Sequence, residues 1–196
     1  MRVNTRHART LAPALAAWAV AGAASAEPQA FAIDPANTQV HWELKHFGTS
    51  TIRGRFSSLE GSITLDRVAH AGNVSMSVAT GAVSTGFAPF DGIIRGPYLL
   101  ATAQHPTAYF VASQFAFDGD RVSAVTGEFT LRGIGRPLTL RALRFSCRAA
   151  TEPTREVCGG DFEGEFLRSE FGITHSLPFV ADRVRLQVQI EAVRQP

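Results

Sequence analysis

Beyond residue 26, apolar and polar residues alternate almost one for one. Between Thr38 and His46, Val40, Trp42 and Leu44 fall on one side, and Gln39, His41, Glu43 and Lys45 on the other. Period two over that length predicts a strand with one buried face. Ile52, Gly54 and Phe56 alternate with Arg53 and Arg55, and Leu59, Gly61, Ile63 and Leu65 with Glu60, Ser62 and Thr64. The same pattern recurs at Val74, Met76 and Val78, at Val125, Gly127, Phe129 and Leu131, and at Phe162, Gly164 and Phe166. A last strand carries Val184, Leu186, Val188 and Ile190. The stretch Tyr109 to Phe115 is apolar enough to predict burial on both sides. Asp118-Gly119 predicts a tight hairpin turn, because both central residues of such a turn take positive φ. Residues 133–137 predict a second turn, after which Leu138 and Leu140 open another strand. From Ala88 to Gln104 the spacing of Ile93, Ile94, Tyr98, Leu99 and Leu100 predicts one or two short helices instead. Pro89, Gly92, Gly96 and Pro97 keep them short.

About eight strands, each with one apolar face, bury those faces by stacking two sheets or by closing one sheet into a barrel. Closure also removes exposed edges. An eight-stranded barrel is just wide enough to be filled by side chains or to hold one small ligand. Glycine recurs on the apolar faces at 54, 61, 127 and 164. Such glycines either leave space or mark bends and close approaches, and both readings stand at this level. A lumen free of inward charge suits an alkyl or prenyl chain, each buried CH₂ contributing about 0.8 kcal/mol.

The first residues bring in a different signal. Arg2, Arg6, His7 and Arg9 precede an alanine-rich apolar run, and Ala24-Ser25-Ala26 fits the small-x-small cleavage rule. The run is shorter than the roughly 20 strongly apolar residues a membrane span needs. Residues 1–26 are therefore expected to be a cleaved, Sec-type bacterial signal peptide, and 27–196 a single domain that is periplasmic or secreted. Three of the 19 basic residues and none of the 17 acidic ones fall in the leader, so the remainder is close to neutral. With one lysine, Lys45, and no basic stripe, no nucleic-acid partner is expected. Cys147 and Cys158, the only cysteines, are expected to pair across a hairpin tip in an exported protein.

The residues also resemble a family. Phe31-Ala32-Ile33-Asp34-Pro35, then Val40, Trp42 and Leu44-Lys45-His46-Phe47-Gly48, are similar to the opening of the YceI-like family. Gly54-Arg55-Phe56, Val83-Ser84-Thr85-Gly86 and the segment from Asp91 through Ile94-Arg95-Gly96 to His105-Pro106 follow in register. Residues 125–133 with Arg136-Pro137-Leu138, Arg168-Ser169-Glu170-Phe171-Gly172-Ile173 and Ile190-Glu191-Ala192 continue the likeness to the end of the chain. Phe90 and Ile93 depart from the family's commonest form, which has an arginine and a histidine there. The resemblance implies an all-β, eight-stranded antiparallel, lipocalin-like barrel with a short helical segment closing one end. It also implies a bound amphiphile, either a polyisoprenoid or an isoprenoid quinone, and no covalent cofactor.

Candidate lumen residues follow from the apolar faces: Trp42, Leu44, Phe56, Ile63, Met76 and Val78, then Phe129, Leu131 and Phe166. Leu99, from the helical segment, and Phe171 complete the apolar set. His41 and His46 lie five apart on one strand and point to opposite faces, so they cannot share a metal ion, and no metal is expected. His46 faces inward, either as a hydrogen-bond partner for a lipid oxygen or as a structural histidine. Asp91, Arg95 and Arg168 either serve a head group or brace the lid. No nucleophile with a base, paired acids or metal set is present as a motif, so a non-catalytic carrier is expected. The alternatives are a quinone-dependent electron-transfer accessory, partnered by a membrane cytochrome or quinone enzyme, and a lipid-modifying enzyme. The carrier is a monomer or a homodimer.

Overall fold

The computed structural model describes residues 1, 27–151 and 155–196; the expected leader, residues 2–26, lies outside the described residues. Among the described residues the alternating stretches form eleven strands: β1 (Gln29–Ile33), β2 (Gln39–His46), β3 (Ser50–Phe56), β4 (Leu59–Asp66), β5 (Ala71–Ala79), β6 (Val83–Ser84), β7 (Thr107–Asp118), β8 (Arg121–Leu131), β9 (Ile134–Arg148), β10 (Val157–Leu167) and β11 (Arg183–Arg194). An α-helix, α1 (Ala88–Arg95), interrupts them. All pairings are antiparallel.

The order β1-β4-β5-β7-β8-β9-β10-β11 closes on itself, because β11 also pairs with β1. This is the closed eight-stranded barrel. β11 is long enough to serve two partners, β1 through residues 192–194 and β2 through 185–189. β2 therefore continues the position of β1 toward the other end, and β3, paired with β2, continues that of β4. The corner between β1 and β2 is pinned from both sides. The Asp34 carboxylate accepts from the Ala36 N–H and the Asn37 amide, each at 2.9 Å. Buried Thr38 donates to the Glu191 carbonyl at 3.3 Å and accepts from its N–H at 3.1 Å.

Bulges explain where simple alternation fails; besides the two that follow, Ser123 of β8 is passed over between Ala124 and Val122. In β7, Ala108, Phe110 and Ala112 point inward, while Tyr109 (48% exposed) and Val111 (54%) point outward, so the expected burial of this segment on both sides is not found. Ser113 is then passed over between the pairs Ala112–Gly127 and Gln114–Thr126, and the inward set changes parity to Phe115. One extra residue moves every later side chain to the other face. In β9, Leu143 (60% exposed) is passed over in the same way, after Leu138, Leu140 and Ala142 and before Phe145 and Cys147. An apolar run that seems two-faced is thus a one-faced strand with a bulge.

The turns also differ from expectation. The chain reverses at Arg132-Gly133, both at positive φ (52° and 73°), and β9 already begins at Ile134, with Pro137 paired to Glu128. At the Asp118-Gly119 turn only Gly119 has positive φ, because Asp118 is the last residue of β7 and the connection is Gly119-Asp120. The helical region is one helix of eight residues followed by turns, Gly96-Pro97 ending it.

The glycines settle as close approaches, not as space. A Cβ on Gly54 would collide with the Trp42 indole, whose Nε1 lies 2.9 Å from that point. The ring therefore sits close against Gly54 of β3. At Gly127 and Gly61 the added atom would meet neighbouring main chain, and at Gly164 the Leu140 side chain and the Thr139 carbonyl, both at 2.9 Å.

Cys147 and Cys158 are bonded and occupy directly paired positions of β9 and β10, at the end of the barrel closed by β1. Cross-linking restricts the unfolded chain, which for so short a loop stabilises by roughly 3 kcal/mol. Denaturant unfolding with and without reductant is expected to show a loss of about that size; an unchanged midpoint would contradict it.

Candidate functional site

Inside the barrel, toward the end carrying β2, β3 and α1, is a cavity of about 510 Å³. Its size is that of a small-molecule site. The wall is supplied by inward positions of nearly every strand: Val40, Trp42 and Leu44 from β2, Met76 and Val78 from β5, Phe129 and Leu131 from β8, Phe166 from β10. Phe90, Ile93 and Ile94 of α1 and Leu99 beyond it cover one side of the opening. The side chains are long enough to make a continuous apolar surface and too short to meet across it. Polar atoms on the wall come only from Trp42, His46, Thr80, Tyr109, Arg168, His175 and Ser176 among the described residues, and none of these is an acid.

Two of those side chains, Arg168 and Thr80, are committed to the protein. Arg168, 3% exposed, stands at the start of a 3-10 turn (Arg168–Phe171). Its guanidinium donates to four main-chain carbonyls: Ala181 at 2.9 Å, Ile173 at 3.0 Å, His175 at 2.9 Å and Val180 at 2.9 Å. It thereby folds the loop 173–181 over the mouth. That loop is stitched to the end of β2, the Phe47 N–H donating to the Phe179 carbonyl at 2.7 Å and the Ala181 N–H to Lys45 at 2.9 Å. Burial lowers the Arg168 pKa from its ordinary value, and Asp182 opposes this. The Thr80 hydroxyl donates to the His105 carbonyl at 2.7 Å.

The charges of the helical lid are committed too. Asp91 accepts from both the hydroxyl and the N–H of Thr85, each at 2.6 Å. Those bonds, the hydroxyl foremost, with Arg95 adding attraction, hold its carboxyl below the ordinary 3.8. Arg95 donates to the carbonyls of Gly81 at 2.8 Å and Val83 at 2.9 Å. Together they tie α1 to the segment before it, and neither lines the cavity. Arg132 adds a third tie, donating to the Leu99 carbonyl at 2.6 Å.

Five polar side chains of the wall, Trp42, His46, Tyr109, His175 and Ser176, have no side-chain hydrogen bond among the described residues. The Trp42 Nε1–H is buried without a hydrogen-bond partner among the described residues. Leaving such a donor unpaired costs about 1–3 kcal/mol. The His46 ring, four residues further along the same face of β2, stacks edge-on to Phe47 and has no hydrogen bond to another described side chain. Around the opening stand exposed Ile93, Tyr98, Tyr109, Phe47 and Phe179, the last two stacked at 5.6 Å.

Of the residues selected from sequence, Trp42, Leu44, His46, Phe56, Met76, Val78, Leu99, Phe129, Leu131, Phe166 and Arg168 face this cavity. Ile63 does not; it lines a separate space of about 70 Å³ nearer the disulfide. Phe171, 1% exposed, backs the wall, packing on Phe129 and Phe166 at 5.3 and 5.2 Å. Sequence reading missed Phe90, Ile93, Ala108, Phe110, Leu140 and Leu186. Parity alone reaches Leu140 and Leu186. Ala108 and Phe110 were hidden by the β7 bulge, and the two lid residues by the choice of charged over apolar groups on α1.

Residues 31–192 match the family model for the YceI-like domain. The chain is 30% identical over 158 residues to protein YceI of Escherichia coli O157:H7, covering 80% of this chain and 81% of that protein. A UPF0312 protein of Pseudomonas aeruginosa is also 30% identical, over 159 residues, with the same coverage of each chain, 80% and 81%. Among solved structures, BcnA of Burkholderia cenocepacia shares the fold with a TM-score of 0.69 at 20% identity, over 82% of this chain and 99% of that one. A polyisoprenoid binding domain from Saccharophagus degradans, implicated in plant cell wall breakdown, does so with a TM-score of 0.59 at 15% identity, over 85% and 99%.

Two outcomes are expected. Replacing Arg168 by methionine strands four carbonyls and is expected to cost about 3 kcal/mol in denaturant unfolding; a loss below 1 kcal/mol would reject the staple. Because the Asp91 pKa is depressed in the folded state, its contribution is complete above 3.8, declines below that and vanishes once the folded group protonates. The stability difference between wild type and Asp91→Asn is therefore expected to stay level from neutral pH to about 4 and shrink only below it. A difference already fading at pH 6 would contradict the assignment.

Proposed function

The chain belongs to the YceI-like family, and from that premise and the shape of its lumen we propose that it binds and carries a long-chain isoprenoid amphiphile, a polyisoprenoid or an isoprenoid quinone, without altering it chemically. The carrying observation is the cavity of about 510 Å³ with an almost wholly apolar wall. A prenyl chain entering it gains about 0.8 kcal/mol for each carbon taken out of water. The unpaired Trp42 Nε1–H and the nearby His46 ring favour a ligand that bears oxygen over a bare hydrocarbon. The polyisoprenoid-binding domain of Saccharophagus degradans has the same fold, which supports the ligand class.

Carriage without reaction is supported by how the polar wall atoms are used. Arg168 and Thr80 spend their donors on main-chain carbonyls. His46 has neither an acid nor a hydroxyl hydrogen-bonded to it among the described residues, so the base of a nucleophilic pair lacks its nucleophile. Export is supported by the basic, alanine-rich leader of the sequence and by the Cys147–Cys158 disulfide, a bond that persists in oxidising compartments.

Protein purified from the periplasmic fraction without detergent, and starting at Glu27, is expected to release an intact long-chain isoprenoid into organic solvent, identifiable by mass spectrometry. Phe129→Asp places an unpaired charge on the wall; a variant matching wild type in circular dichroism is expected to release none. Absence of any long-chain lipid from the wild type, or equal release by the folded variant, would defeat the reading. A chemically altered lipid after prolonged incubation would favour an enzyme, and a protein retained inside the cell from Met1 would remove the export half.

A further inference from the structure

The lumen has a floor. Met76, Phe110, Leu140 and Val188 border both the large cavity and the smaller space of about 70 Å³ beyond it. They come from four strands spaced around the closed circuit, β5, β7, β9 and β11, and each is buried. Met76 and Phe110 are direct cross-strand partners. Below them the walls are Phe31, Ile63, Val74, Val125 and Phe162, down toward the Cys147–Cys158 bridge. The bulges at Ser113, Ser123 and Leu143 lie on this lower side, and turn Phe115, Val122 and Phe145 inward to narrow it.

We infer that this floor sets the length of prenyl chain the protein accepts, with Met76 as the residue that limits it. The inference deepens the carrier reading and rests on it. An apolar protein cavity of roughly 150 Å³ holds one benzene, or about 25 Å³ per carbon. By that measure the lumen of about 510 Å³ takes about twenty carbons, or about four isoprene units. The lower space adds about three carbons. Met76 is the floor's most adaptable member, unbranched and with three rotatable bonds, and it has three heavy atoms beyond its Cβ. Removing them joins the two spaces and makes room for about one more isoprene unit in total.

The test is a ladder of prenyl alcohols graded by one isoprene unit, titrated into delipidated protein and followed by Trp42 fluorescence, Trp18 being in the leader. Wild-type affinity is expected to rise about tenfold or more per unit up to about four units and then level off. In Met76→Ala the plateau moves out by about one unit, and in Met76→Ala with Ile63→Phe, which refills the lower space, it returns. Ala108→Phe tests the limit from above: it fills the lumen side only, where Ala108 borders the large cavity, and shortens the plateau by about one unit even if Met76→Ala does not fold. A folded Met76→Ala, or an Ala108→Phe, with the wild-type plateau overturns the floor while leaving carriage intact. Failure of every rung to bind the wild type overturns carriage, and the floor with it.

Discussion

Closure of the sheet around an apolar inner face is the constraint from which the rest follows. Eight paired strands fix a circumference that the side chains of one face must fill, or else something else must. Below Met76 and Phe110 they nearly do, with Phe31, Phe115, Phe145 and Phe162 crowding the interior. Above them the wall mixes valines and leucines with Trp42, Phe56, Phe129 and Phe166, yet a cavity of about 510 Å³ is left between them. The hollow is thus wide at the end carrying β2, β3 and α1 and nearly filled toward the cross-linked end. An interior that neither water nor its own side chains fill well favours occupation by a flexible hydrocarbon.

The polar chemistry of the open end serves that hollow indirectly. Arg95, Arg132 and Arg168 each direct the guanidinium at main-chain carbonyls of the lid and the mouth loop. Loops that cross a barrel mouth leave carbonyls with no ladder partner, and a guanidinium with its five donors satisfies several at once. The cationic groups that sequence suggests for a head group are in this way taken up in shaping the opening. What remains for a ligand includes the indole N–H of Trp42 and the ring of His46 on β2, with Tyr109, His175 and Ser176 nearer the mouth.

The family resemblance carried the closed barrel and the cysteine count the disulfide. Alternation read along the chain carried the strands and most of the wall, because in a one-layer closed sheet inward-facing and lumen-facing mean nearly the same thing. Residues 107–118 show where that equivalence breaks. Ser113 shifts the parity by one, and no residue type at that position announces it. Ile63 shows a second limit, since parity gives the face but not the height along the axis, and Ile63 sits below the floor. Asp91, Arg95 and Arg168 brace the lid and the mouth loop, one of the two roles open from sequence, but the partners they brace against were hidden for a different reason. Their partners are backbone atoms brought near by the fold, and a sequence carries no mark of a carbonyl that will need a donor. The four glycines are informative in the opposite direction from a missing side chain: Gly54 gives Trp42 its seat, and so helps build the wall it had seemed to thin.

The proposed carriage of a prenyl chain would place the chain's tail deepest in the hollow, against the floor. The most direct measurement is a crystal structure of the protein bound to a prenyl chain brominated at its tail terminus. The account places the anomalous bromine peak inside the barrel, against Met76 and Phe110. A peak outside the barrel, or an interior found filled by its own aromatic side chains, would contradict it.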